Sequence, residues 1–199
     1  MRRIRIAAWV AVALMLVAVG LAYVLRPDAR NLAVSLPLSA RIGGPFELTT
    51  HEGRRLSSAE LAGTPFAVFF GFTHCPDVCP TTLLELTNLI QRLGPDADRM
   101  RYLFITVDPE RDTPELLKLY MSNFDPRIVG LTGTAEEIAS VARAYGAFYQ
   151  KVPTKNGFTY NHTAEVILMG KDGRRVATLN DKEPEDVRMK KLRRLIGLS

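Results

Sequence analysis

FAVFFGFTHCPDVCPTT, residues 66–82, decides how the rest of the chain is read. Its apolar run, Phe66 to Phe72, predicts a strand buried on both faces, because it lacks the alternation of a half-exposed one. The run ends in a loop that holds the only two cysteines of the chain, Cys75 and Cys79, each followed by a proline. Helical spacing of Leu83, Leu84, Leu86, Leu89, Ile90 and Leu93 begins after Pro80, and Gly94 predicts its stop. Two thiols pinned at the end of a central strand make a site for metal or redox chemistry.

Outward from this stretch the elements alternate. Phe46 to Thr50 and Arg54 to Leu56 predict a short hairpin around His51-Glu52-Gly53, and Ser57 to Glu60 fits a capping box. Arg101 to Asp108, RYLFITVD, predicts a second buried strand. Thr113-Pro114 starts a helix to about Asn123, Ile128-Val129 a short strand, and Thr134 to Glu137 a capping box opening a helix to Ala144. Strands are expected at Phe148 to Val152, Ala164 to Met169 and Val176 to Leu179, then a closing helix from Glu183 to Leu195 with a basic, solvated outer face. Right-handed crossovers make the middle strands parallel. The expected fold is α/β of thioredoxin-like type, a central mixed sheet with helices on both faces, with its site outside the carboxyl ends of the strands.

Composition is that of a globular protein, with 47% hydrophobic and 24% charged residues. The net charge of +5 does not argue for nucleic acid, since Arg2, Arg3 and Arg5 precede an apolar leader, and without them the balance is 23 basic to 21 acidic residues. Ile6 to Leu25 runs for 20 residues without a charge, enough to cross a bilayer as a helix. Residues 1–26 are expected to be a membrane anchor or a signal sequence, 27–42 a linker and 43–199 the folded domain. The arginines before the apolar run predict a cytoplasmic N-terminus and an exported domain: a single pass through the inner (cytoplasmic) membrane, with the C-terminal domain on its periplasmic side.

In an oxidising compartment Cys75 and Cys79 could form a disulfide, but a bridge across three residues closes a small loop and constrains little. A helix opening at Pro80 would place its positive end near both sulfurs and favour thiolates. Pro80 would hold Cys79 itself out of helical geometry. Two thiolates select soft ions such as Cu(I), and a further ligand is expected among the three histidines. His51 reads as a solvated turn residue, and His74 as a neighbour of the ligands. His162, in Gly157-Phe158-Thr159-Tyr160-Asn161-His162-Thr163, enters the strand beside the central one. Spacing alone leaves it equally well a satisfied loop histidine. Asp77 reads as a cap for the Pro80 helix, Arg111 as the partner of an ion pair fixing its own loop, and Tyr160 as strand-edge packing.

The sequence resembles the Sco (SenC) family of copper proteins that serve cytochrome c oxidase assembly. The resemblance is carried by Gly43 to Phe46, by Phe70 to Thr82 and by Val107-Asp108-Pro109-Glu110-Arg111-Asp112-Thr113-Pro114, with Gly130 to Thr134 and His162-Thr163-Ala164. It implies a thioredoxin-like domain behind a membrane anchor. It implies copper, as Cu(I) or Cu(II), held by Cys75, Cys79 and His162, and delivery to the copper-accepting subunit of cytochrome c oxidase, with other copper chaperones as possible partners. Asn161 departs from the aspartate expected before the histidine.

Other chemistries use the same residues. A thiol-disulfide oxidoreductase would employ Cys75 and Cys79 as attacking and resolving thiols, although three residues separate them and not the two of thioredoxin. A copper or redox sensor would need the same trio. A peroxidase of peroxiredoxin type would pair Cys75 with Thr73 and with Arg127 or Arg143.

Overall fold

The computed structural model describes residues 9, 14–17, 42–155 and 157–198. The chain divides into two units, Met1–Ala40 and Arg41–Ser199. In the first, Trp9 and Leu14 to Val17 are helical and exposed. The expected anchor and linker lie for the most part outside the described residues, among which no helix is long and apolar enough to cross a membrane.

The second unit contains a seven-stranded mixed sheet. Its strands are β1 (Glu47–Thr50), β2 (Arg55–Ser57), β3 (Phe66–Gly71), β4 (Arg101–Thr106), β5 (Ile128–Thr132), β8 (Val166–Met169) and β9 (Arg175–Leu179), in the order β2-β1-β5-β4-β3-β8-β9. The three central strands β3, β4 and β5 are parallel, and β1 and β8 flank them antiparallel. All six residues of β3 are buried, so both faces of the sheet are covered at its centre, as the unbroken apolar run predicts. The helices are α1 (Val78–Leu93), α2 (Pro114–Met121), α3 (Ala135–Tyr145) and α4 (Glu185–Leu195). Both expected capping boxes are present: Ser57 with Glu60 on a short 3-10 turn, and Thr134 with Glu137 at the start of α3.

Two local expectations are corrected. Helix α1 begins at Val78, not Pro80, which places Cys79 in its first turn. The first N–H groups of a helix have no partner within it, so a proline at the third position sacrifices no bond. The stretch Gly157–His162, read as a loop, is a strand, β7, paired with β6 (Tyr149–Thr154) in a separate two-stranded ribbon. The short strand after it starts at Val166, two residues later than expected.

Candidate metal centre

Three separate elements bring the donor atoms together. Cys75 is half-buried in the loop after β3, its N–H donating to Phe72 O at 3.2 Å. Cys79, in the first turn of α1, is fully buried. Its sulfur packs onto the end of β3. A β-carbon at Gly71 would lie 2.7 Å from Cys79 Sγ and 2.7 Å from the Phe104 ring, so only glycine admits this approach. His162 ends β7, and its Nε2 lies 3.3 Å from Cys79 Sγ. One donor atom from each of Cys75, Cys79 and His162 lies within 4.8 Å of the other two.

The imidazole of His162 is oriented from behind. Its Nδ1 is 2.9 Å from Thr163 O, a carbonyl that can only accept, so Nδ1 carries a proton and Nε2 is the nitrogen that faces the sulfurs. Phe69 and Phe72 meet the ring edge-to-face, with centroids 6.0 and 5.7 Å away. Tyr160 packs on Phe72 at 5.5 Å and so backs the same wall, with its hydroxyl pushed up to about 12 chiefly by burial.

The cysteines are unbridged and differ sharply. Hydrogen bonding from Cys79 lowers the pKa of the Cys75 thiol to about 3 against the cost of burial, and hydrogen bonds from His162 and from the backbone N–H groups of Cys79 and Asp77 assist. Cys79 is pushed up by its bond to Cys75, by burial and by the negative charges of Cys75 and Asp112. One proton is therefore shared between two sulfurs at neutral pH. The site offers one ready thiolate, one thiol that a metal would have to deprotonate, and one imidazole nitrogen. This donor set suits a soft monovalent or borderline divalent ion.

The other histidines fall elsewhere. His51 is not a solvated turn residue: its Nδ1 accepts the Gly130 N–H at 2.9 Å, joining the β1 turn to β5, and its side chain is 16% exposed. His74 is half-exposed and contacts Thr73 Oγ1 at 3.0 Å through Nδ1. Asp77 occupies the N-cap position without a side-chain bond to the helix backbone, so the expected cap is not made. Arg111 does pair with Asp108, as expected, and also donates to Phe158 O at 3.3 Å. The peroxidase constellation of Cys75 with Thr73 and Arg127 does not assemble. The Thr73 hydroxyl is taken by Asp112, and Arg127, paired with Asp125, precedes β5, at the opposite end of the parallel strands from Cys75.

Sequence reasoning missed two supports of the site. One is the ribbon, signalled by the alternation Phe158, Tyr160, His162. The other is the bonding of Asp112 to Thr73: the acidic run after the second buried strand is expected to face the site's end of the sheet, but nothing in the sequence names Thr73 as its partner.

Fold and site together define a thioredoxin-like domain with a two-sulfur, one-nitrogen centre at the carboxyl end of its central strand. The SCO1/SenC family model matches residues 35–197, and the chain belongs to that family. It is 43% identical over 139 residues to the human mitochondrial SCO1 homolog, covering 66% of this chain but only 45% of that protein. A SCO2-like protein of Rickettsia prowazekii is 41% identical over 137 residues, 67% of each chain. The copper-bound structure of ScoI from Bradyrhizobium japonicum matches with a TM-score of 0.73 and 46% identity, over 77% of this chain and 99% of that one. Copper-bound ScoI of Arabidopsis thaliana matches with a TM-score of 0.72 and 35% identity, over 78% and 98%.

Proposed function

We propose that this protein holds one copper ion with Cys75, Cys79 and His162 and delivers it to the copper-accepting subunit of cytochrome c oxidase. The observation that carries this reading is the convergence of two unbridged cysteines and an oriented imidazole, with Cys79 Sγ 3.3 Å from His162 Nε2. The copper-bound relatives support copper as the cargo. The half-buried Cys75 and His162 are the donors a partner reaches first, and the fully buried Cys79 lets go last. Delivery by exchange of one ligand at a time fits this gradient of exposure. The apolar, uncharged stretch from Ile6 to Leu25 supports anchoring at the inner membrane with the domain on its periplasmic side.

A second reading, reduction of the acceptor's own cysteines, is favoured by the lowered pKa of Cys75 beside a resolving thiol.

The test is Cu(I) titration of the full chain, reduced, anaerobic and with detergent present, beside Cys75→Ser and His162→Ala. One tightly held Cu(I), greatly weakened in both variants, is the expected result. Unchanged binding by His162→Ala would remove that residue from the site. No tight copper binding, with a readily reduced Cys75–Cys79 disulfide, would favour the reductase.

A further inference from the structure

Asp112 is fully buried, yet it belongs to neither the ion pair nor the donor trio described above. Its carboxylate takes three protein donors. The Thr73 N–H and O–H donate to Oδ2 and Oδ1 at 3.0 and 2.6 Å, and the Thr106 hydroxyl donates to Oδ2 at 2.5 Å. Thr106 ends β4 and is paired in register with Gly71, the residue on which Cys79 packs. Thr73 lies two residues before Cys75. A single carboxylate thus ties the end of β4 to the entry of the cysteine loop.

The donors and acceptors then fix His74. A carboxylate can only accept, so the Thr73 hydroxyl proton points to Asp112. Thr73 Oγ1 must therefore accept from His74, whose Nδ1 is 3.0 Å away. The neutral ring carries its proton on Nδ1 and its lone pair on Nε2. His74, Asp108 and Asp112 also place one atom each within 4.8 Å of one another, the spacing of a cation site. The bonding argues against a cation there. Three hydrogen-bond donors already engage Asp112 and Asp108 Oδ2 is paired with Arg111, which leaves Asp108 Oδ1 as the one buried carboxylate oxygen of the cluster without a partner among the described residues.

We propose that Asp112 is a positioning residue of the copper centre, holding the cysteine loop through Thr73 and favouring, by its buried charge, the doubly over the singly charged copper ion. Two thiolates leave a net negative charge around Cu(I) and none around Cu(II). A buried carboxylate beside Cys79 opposes the first state more than the second, and little solvent intervenes to screen it. This inference rests on the three-ligand reading above.

The test compares Asp112→Asn, Thr73→Val and Thr73→Ser with the wild type, after circular dichroism establishes that each is folded. Affinities for Cu(I) and Cu(II) are measured separately on the full chain. In Asp112→Asn the ratio of Cu(I) to Cu(II) affinity rises by about tenfold, the equivalent of one pKa unit of differential interaction. In Thr73→Val, which keeps the charge and the backbone bond to Asp112 but loses the hydroxyl bond, both affinities fall together with the ratio unchanged, and Thr73→Ser restores them. Nitrogen-correlated NMR of the apo protein reads the His74 tautomer: Nδ1–H in the wild type and Thr73→Ser, mixed in Thr73→Val. An unchanged ratio in Asp112→Asn, or the same change of ratio in Thr73→Val, would overturn the charge argument. An unaltered tautomer in Thr73→Val would overturn the tether. Absence of copper binding by the wild type would instead sink the three-ligand reading, and the tautomer measurement stands apart from that result.

Discussion

The guanidinium carbon of Arg111 lies 4.0 Å from the ring centroid of Phe158. The same side chain pairs with the buried Asp108 and donates to the Phe158 carbonyl at 3.3 Å. From the ribbon, Lys151 reaches back to Glu110 at 2.6 Å, with its ammonium 3.6 Å from the same ring. The loop after β4 therefore grips the strand that carries His162. Arg111→Ala removes a cation–π contact worth roughly 0.5–2 kcal/mol. The expected outcome is Cu(I) affinity reduced by about tenfold, well short of the loss in Cys75→Ser. Arg111→Lys restores little, because an ammonium cannot stack and fork at once. Competition titration with a Cu(I) chelator measures both.

Gly71→Ala tests the contact between strand and helix. The new methyl meets Cys79 Sγ and the Phe104 ring, each at 2.7 Å, so the first turn of α1 must shift. Overpacking of this kind costs roughly 1–3 kcal/mol. Thermal unfolding should show that loss, and copper affinity should fall with it as Cys79 moves off the site. A variant of wild-type affinity would mean that the helix end yields freely.

The two cysteines should react in sequence. Cys75 is half-buried with its pKa lowered to about 3, whereas Cys79 is buried with its pKa raised. Iodoacetamide at neutral pH should modify Cys75 first. Its rate should hold nearly level down to about pH 5, where an ordinary thiol of pKa near 8.5 would have lost most of its thiolate. Cys79→Ala removes the hydrogen-bonding partner and should make the rate at pH 5 fall below the wild type. Peptide mass spectrometry of partly alkylated protein checks the order.

Acid stability should depend on Asp125. Burial works against its charge, but the side chain and backbone N–H of Arg127 outweigh it and hold the carboxyl below its usual range. A lowered folded-state pKa contributes stability that is complete above the unfolded value and is lost as pH falls through the folded one. The loss therefore begins below about pH 4. Asp125→Asn should be less stable at pH 7 by roughly 1–3 kcal/mol and should show a shallower decline between pH 4 and 2. Urea unfolding across that range measures the slope.

What sequence alone determined is the centre of the molecule. The unbroken apolar run Phe66 to Phe72 read as a strand covered on both faces, and Arg101 to Asp108 as a second buried strand. The capping boxes at Ser57 and Thr134 marked helix starts, because those signals are local and set by a few neighbouring residues. The two cysteines were visible as a site from their place after the central strand. Tertiary structure decided the rest. Spacing left His162 undecided until β6 and β7 paired into a ribbon that swings its ring onto Cys79. Sequence already set His51 and His74 apart from the ligands, and only the structure showed their bonds to Gly130 and Thr73. Asp112 joins Thr73 across 39 positions of chain. Such a bond depends on strands β3 and β4 lying side by side, and no local pattern of residues encodes that adjacency.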